Sequence, residues 1–202
     1  MARTPKYQAF ISPPGLAVFP WLSEPDVRHV KTGVFKVDVS VPEAEAAESI
    51  AKLEAIRDEF ISTLPAAKQK ALTPVPVFKI ELTHPTYPEE ATEEEKQAIR
   101  DAFVGEPTGN VLFRFKMNKL VTPQDSDPFE QAPVLVSAET GAEVTDPIYA
   151  GSLIRAKGQV VPYTAAASGT VGVTLRLKSV QVIDLVTGNG GSAFWTDFDS
   201  AA

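Results

Sequence analysis

The sequence has no cysteine and only two histidines among its 202 residues. A chain without cysteine forms no disulfides, no thiolate zinc sites and no cysteine nucleophiles. Long apolar runs are also lacking: the opening residues MARTPKYQAF contain no signal-peptide core, and no stretch approaches the length of a membrane span. We therefore expect a cytoplasmic protein with no membrane partner.

An excess of positive charge is lacking as well, since the formal net charge is -7. Taken alone, that value argues against a nucleic-acid partner, but recognition depends on where the charges lie. The composition, 44% hydrophobic and 22% charged, is sufficient for one domain with a real core. The 17 prolines favour short strands and ordered loops over a helical bundle.

Two helices are predicted, at residues 42–63 and 92–104, within a chain that otherwise alternates like strands. Capping-box spacing occurs near both starts, in Ser40 with Glu43 and in Thr92 with Glu95. Residues 1–31 are rich in proline and aromatics, which indicates an arm laid against the domain with at most one edge strand. Residues 132–144 predict a hairpin that turns near Thr140 and Gly141.

Three further strand-like runs, residues 110–119, 151–163 and 171–183, carry basic residues and no acid. Their cations are Arg114, Lys116, Lys119, Arg155, Lys157, Arg176 and Lys178. Lys36 lies on the polar face of an earlier strand, residues 32–41. Because like charges on neighbouring strands destabilise a sheet, this pattern predicts a cationic sheet face with a polyanionic partner. The alternative is that these residues guard exposed strands against edge pairing.

Alternation also separates the core of these strands from their surface. Phe113 and Phe115 lie opposite Arg114 and Lys116 and are therefore assigned to the core. In the last run the apolar parity shifts after Lys178, which predicts a β-bulge near Ser179.

A single-stranded nucleic acid fits such a face, because each base stacked on an aromatic ring contributes about 1–3 kcal/mol. Tyr163 shares the parity of Arg155 and Lys157 and is the first candidate for stacking. Trp21 and Tyr149, in polar and loop-like surroundings, are the next candidates.

Two parts of the chain carry a family resemblance. FISPPGLAVFPWLSEPD near the start, and GSLIRAKGQVVPY followed by GVTLRLKSVQVIDLVTG, resemble bacteriophage replication proteins that bind single-stranded DNA. The likeness runs from Phe10 to Gly188. It implies a mainly β protein with α insertions: a five-stranded, partly open Greek-key barrel of the oligonucleotide-binding fold, elaborated by one or two helices.

The resemblance also implies sequence-independent coating of single-stranded DNA during phage replication or recombination, in the host cytoplasm. Residues 1–187 would form the binding domain and residues 188–202 a flexible tail that meets replication enzymes; self-association is left open. The aromatic and acidic residues of that tail are Phe194, Trp195, Asp197, Phe198 and Asp199. The end at Ser200-Ala201-Ala202 departs from the apolar or aromatic terminus of such tails.

Enzyme chemistry is not favoured by any motif. Asp125, Asp127 and Glu130 lack the glycine and the ligand spacing of a calcium loop, and His29 and His84 have no serine or carboxylate motif nearby. We therefore expect no catalytic residues, no metal and no cofactor. The alternative function is that of a phage structural or adaptor β-domain with no nucleic-acid role.

Overall fold

The computed structural model of the chain describes residues 7–123 and 126–186. Its strands are β1 (Gln8–Ile11), β2 (Gly15–Asp26), β3 (Val34–Pro42), β4 (Thr73–Pro74), β5 (Lys79–Leu82), β6 (Pro107–Asn118), β7 (Leu120–Val121), β8 (Phe129–Glu130), β9 (Val134–Ser137), β10 (Leu153–Ala165) and β11 (Thr170–Asp184). Its helices are α1 (Glu43–Thr63), α2 (Ala66–Ala71) and α3 (Glu93–Ala102). The chain is mainly β with a few helices, as predicted. The predicted tail, residues 188–202, lies outside the described residues.

Five of the strands close into a barrel. β2 pairs with β3, β3 with β6, β6 with β11, β11 with β10, and β10 returns to β2. β6 and β11 are parallel, whereas the other four seams are antiparallel. Only two residue pairs join β6 to β11 and two join β10 to β2, so the barrel is partly open at these seams. This arrangement is consistent with the predicted oligonucleotide-binding fold.

The interior of the barrel is filled by the apolar face of each strand. Phe113, Phe115 and Leu177 are fully buried, and the ring of Phe10 stacks 6.1 Å from that of Phe115. The assignment of Phe113 and Phe115 to the core is confirmed. α1 contributes Leu53 to the same core and contacts β3, β6, β10 and β11. A helix in contact with four barrel strands covers one open end.

The hairpin of β10 and β11 contains the predicted bulge. Lys157 pairs with Ser179 while the next residue, Gly158, pairs with Leu177, so Lys178 is the extra residue. The strands approach closely here: a Cβ on Gly158 would lie 2.6 Å from a backbone carbonyl oxygen of β11. The bulge thus keeps Lys178 exposed while β11 curves around the barrel.

The N-terminal region is more regular than predicted. The expectation of an arm with at most one edge strand is wrong, because β2 is a barrel strand of 12 residues. β2 was not predicted from the sequence because its prolines interrupt the alternation of apolar and polar residues that is typical of a strand. Pro20 and Pro25 fall where the register with β3 is broken, between Val18 and Trp21 and between Trp21 and Asp26. At such breaks a missing backbone N–H is tolerated.

Both predicted long helices are present, and every end lies within two residues of its expected position. The capping box of Thr92 and Glu95 starts α3 as predicted. The predicted capping box of Ser40 and Glu43 is wrong, because α1 begins after Pro42 and has no side-chain cap. Ser40 lies inside β3, and its hydroxyl donates a 2.9 Å hydrogen bond to Glu81. No helix in the described part of the chain is long and apolar enough to cross a membrane.

Candidate nucleic-acid interface

Four side chains stand at one register across four neighbouring barrel strands. Trp21 pairs with Lys36, Lys36 pairs with Lys116, and Lys116 pairs with Arg176. Directly paired residues point to the same face of a sheet, so these four form one cross-strand row on the barrel exterior. Neighbouring strands are about 4.8 Å apart, and three such steps make the row about 14 Å long.

The row concentrates positive charge at its centre. Burial, together with the charges of Arg114 and Lys36, lowers the pKa of Lys116 below its ordinary value. The shift means that the fold holds the ammonium group of Lys116 in an unfavourable environment. A polyanion at this position would stabilise the charged ammonium group of Lys116.

An arginine lies against an aromatic ring at each end of the row. The guanidinium of Arg28 is 4.7 Å from the ring centroid of Trp21, and that of Arg176 is 5.6 Å from the ring of Tyr7. Tyr7 was not predicted. No motif marks it, because it reaches Arg176 only through the pairing of β1 with β10 and of β10 with β11. Each end therefore combines a cation with a ring, the combination that holds phosphates and bases of a single strand.

A second group of predicted residues lies on the exterior of β10 and β11. Arg155, Lys157, Lys178 and Tyr163 are exposed, whereas the alternate positions of β10 are buried. Gln159 of β10 pairs with Arg176, so this group adjoins the end of the cross-strand row. Among the described residues, no carboxylate pairs with any of its three cations, nor with Lys116 or Arg176.

The face predicted to be cationic also contains acids, which come from outside the three basic runs. Asp38, on β3, is buried and accepts hydrogen bonds from two nitrogens of Arg114 on β6, with Nε at 2.6 Å. Lys119 pairs with Glu130 at 3.2 Å. The acids come from neighbouring segments, which a count within each basic run cannot include. Arg114 is therefore held by a carboxylate of its own sheet.

Asp26 holds a second pair of cations. Its buried carboxylate accepts hydrogen bonds from Arg28 Nε at 2.9 Å and from Lys36 Nζ at 2.6 Å. These bonds, with Arg28 as the larger cause and Lys36 as the next, hold the pKa of Asp26 well below its usual range. The cluster fixes Lys36 in the row and positions Arg28 over Trp21.

Asp26 is therefore expected to make stability depend on pH. A lowered folded-state pKa contributes stability that is complete above the unfolded pKa, about 4, and is lost as pH falls below it. We expect Asp26→Asn to have a lower Tm than the wild type at pH 7, with the difference shrinking below about pH 4. Thermal unfolding from pH 7 to pH 3 measures this. A constant difference across that range would contradict the assignment.

Tyr149 does not belong to the cross-strand row. It lies in the turn before β10, and Gly151, two residues later, donates a backbone hydrogen bond to the carbonyl oxygen of Ala17. That places Tyr149 at the opposite end of β10 from Tyr163, although 39% of its surface is exposed. Its role in stacking stays a prediction.

The acids considered for a cation site give no cluster. Asp125 lies outside the described residues, and Glu130 is paired with Lys119. Within residues 7–123 and 126–186, no three histidine, aspartate or glutamate side chains are grouped as metal ligands would be.

No protein-family model matches the chain, and no curated protein sequence matches it. Solved structures do. The crystal structure of gp2.5, a single-stranded DNA binding protein encoded by bacteriophage T7, aligns with a TM-score of 0.65 at 19% identity, covering 98% of this chain and 96% of that one. The single-stranded DNA-binding protein from bacteriophage Enc34 aligns with a TM-score of 0.51 at 12% identity over 95% and 90% of the two chains.

The Enc34 protein in complex with single-stranded DNA aligns with a TM-score of 0.50 at 11% identity, covering 90% of this chain and 89% of that one. The resemblance predicted from the sequence is thus confirmed at the level of the fold, over nearly the whole chain. The chain has the fold of phage single-stranded-DNA-binding proteins.

Proposed function

We propose that this protein binds single-stranded DNA without sequence preference and coats it during phage replication or recombination in the host cytoplasm. The observation that carries the proposal is the cross-strand row, Trp21, Lys36, Lys116 and Arg176, on a fold shared with phage single-stranded-DNA-binding proteins. Cations and ring faces contact phosphates and any base alike, which is why no sequence preference is expected.

The row and the exposed group beside it form one proposed DNA track. Five exposed cations of the track have no carboxylate partner among the described residues, and we assign four of them to phosphates: Lys116, Arg176, Lys157 and Lys178. Arg155 extends the track along β10. Lys36 and Arg114 are adjacent but already hold carboxylates, so we assign them weaker phosphate contacts. Trp21 and Tyr163 are the proposed stacking residues, and Tyr149 is a third.

We further propose that residues 1–187 form the DNA-binding domain and that residues 188–202 meet replication enzymes through Phe194, Trp195, Asp197, Phe198 and Asp199. No catalytic role, metal or cofactor is proposed. Self-association on DNA is compatible with coating and is left to experiment.

Binding is expected to weaken steeply with salt. If about four phosphates are neutralised, a plot of log affinity for oligo-dT against log salt concentration should have a slope of about -3, because each phosphate contact on a single strand contributes about -0.7. Fluorescence anisotropy of labelled oligo-dT between 50 and 300 mM salt, roughly the range in which such slopes are measured, gives the value.

The same titration with duplex DNA and RNA of equal length tests the preference for single-stranded DNA. Absence of binding to all three at the lowest salt concentration would contradict the proposal and favour the structural or adaptor β-domain.

A further inference from the structure

Phe19 has an unusual backbone. Between the pairs Val18 with Asp38 and Trp21 with Lys36, β2 has two residues, Phe19 and Pro20, opposite a single residue of β3. This is a β-bulge. The φ angle of Phe19 is 47°, and it is the one non-glycine residue with positive φ in the described part of the chain.

A left-handed conformation at a bulge is normally supplied by glycine. A bulky side chain there is strained, and strained residues are concentrated at functional sites. Burial of the ring would provide a structural reason for the strain. Phe19 is instead 58% exposed, the largest exposed fraction of any phenylalanine, tyrosine or tryptophan residue in the described part of the chain.

From its ring contact and its place on β2, we infer that the exposed ring lies on the barrel exterior near the Trp21 end of the cross-strand row. It meets the imidazole of His84 edge-on, with centroids 5.5 Å apart and planes at 83°. His84 follows β5, whose Glu81 is bonded to Ser40 on the exterior of β3. Phe19 is two residues from Trp21, and its bulge adjoins the pair of Trp21 with Lys36.

We propose that Phe19 is a base-stacking residue for single-stranded DNA, whose ring the bulge directs outward beside Trp21. The proposal rests on the proposed function of the row. Trp21 and Phe19 then offer two ring faces at one end of the track, next to the cations that hold the phosphates. Sequence reasoning missed Phe19 because it predicted an arm over residues 1–31, and a bulge in a barrel strand cannot be anticipated where no such strand is predicted.

The test compares Phe19→Gly, Phe19→Leu and Phe19→Tyr for binding to oligo-dT and to an abasic oligomer of equal length. Phe19→Gly and Phe19→Leu should lower affinity for oligo-dT about 5- to 150-fold, the range equivalent to one lost stacking contact. Affinity for the abasic oligomer should not change, because that oligomer has no base to stack. Phe19→Tyr keeps the ring and should bind oligo-dT within about twofold of the wild type.

The Tm separates stacking from a structural role. Glycine adopts positive φ without strain, so Phe19→Gly should be as stable as the wild type or more so. The proposal would be overturned if Phe19→Gly and Phe19→Leu lost equal affinity for oligo-dT and for the abasic oligomer. It would also be overturned if Phe19→Gly had a lower Tm than the wild type while Phe19→Leu bound oligo-dT normally.

Lys116→Glu is the reference variant, expected to weaken binding to both oligomers. If Lys116→Glu loses affinity and Phe19→Gly does not, the inference about Phe19 fails while the proposed function stands. If the wild type binds neither oligomer, the proposed function itself fails.

Discussion

Reversing the charges of Lys116 and Arg176 together is expected to abolish binding of single-stranded DNA without unfolding the protein. Two lost phosphate contacts lower affinity about 25-fold at 0.1 M salt, and two new carboxylates facing the phosphates lower it further. Stability should hold or rise, because both side chains are exposed and because the fold disfavours the charge on Lys116. Anisotropy with oligo-dT and thermal unfolding at pH 7 measure the two quantities.

The matched control reverses Lys68 and Lys70 on α2. Both are exposed, and the double variant changes the net charge by the same amount at a site outside the proposed track. If charge at the row matters, the control should bind oligo-dT within a few-fold of the wild type. Equal losses in both double variants would show that overall charge, not the row, governs binding. A large fall in the Tm of Lys116→Glu, Arg176→Glu would show that the row is structural.

Asp38→Asn is expected to change stability and DNA affinity in opposite directions. The variant removes the carboxylate that holds Arg114, and the buried site should lose about 1–3 kcal/mol of unfolding free energy. The released guanidinium and the lost negative charge should allow one more phosphate contact. Affinity at 0.1 M salt would then rise about fivefold, and the salt slope would steepen by about 0.7.

Asp58→Asn is the control for this prediction, since Asp58 is an exposed acid of α1 paired with its neighbour Arg57. It should leave both stability and affinity nearly unchanged. A fall in both quantities for Asp38→Asn would mean that Arg114 must be held by Asp38 in order to bind DNA. No change in affinity would mean that Arg114 lies off the track.

The secondary structure was largely predictable where local chemistry decides it. The alternation around Phe113 and Phe115, the change of parity near Ser179 and the capping box at Thr92 each act within a few residues. The prediction of a capping box at Ser40 was wrong because the contact that decides its conformation is distant in the chain. Its hydroxyl binds Glu81, 41 residues along the chain, and no local pattern contains that partner.

In the candidate site, too, the features decided by local sequence were predictable and those decided by contacts between distant segments were not. Sequence reasoning found the cations, because alternation alone exposes a basic residue on a half-buried strand, and it selected Trp21 from its polar, loop-like surroundings. It could not find that Asp38 faces Arg114, that Tyr7 reaches Arg176, or that Phe19 turns outward. Each of these three features depends on the register between strands or on one backbone angle. Neither the register nor the angle can be read from the residue types involved.

The sequence by itself determined a mainly β domain whose basic residues lie on the polar faces of several strands, because the period of two in a strand separates core from surface. Only the tertiary structure decided which cations become neighbours. Closing the barrel brings Lys36, Lys116 and Arg176 to one register across strands that are far apart in the chain. It also brings carboxylates to Lys36 and Arg114, so the exposed cations of the row are Lys116 inside it and Arg176 at its end.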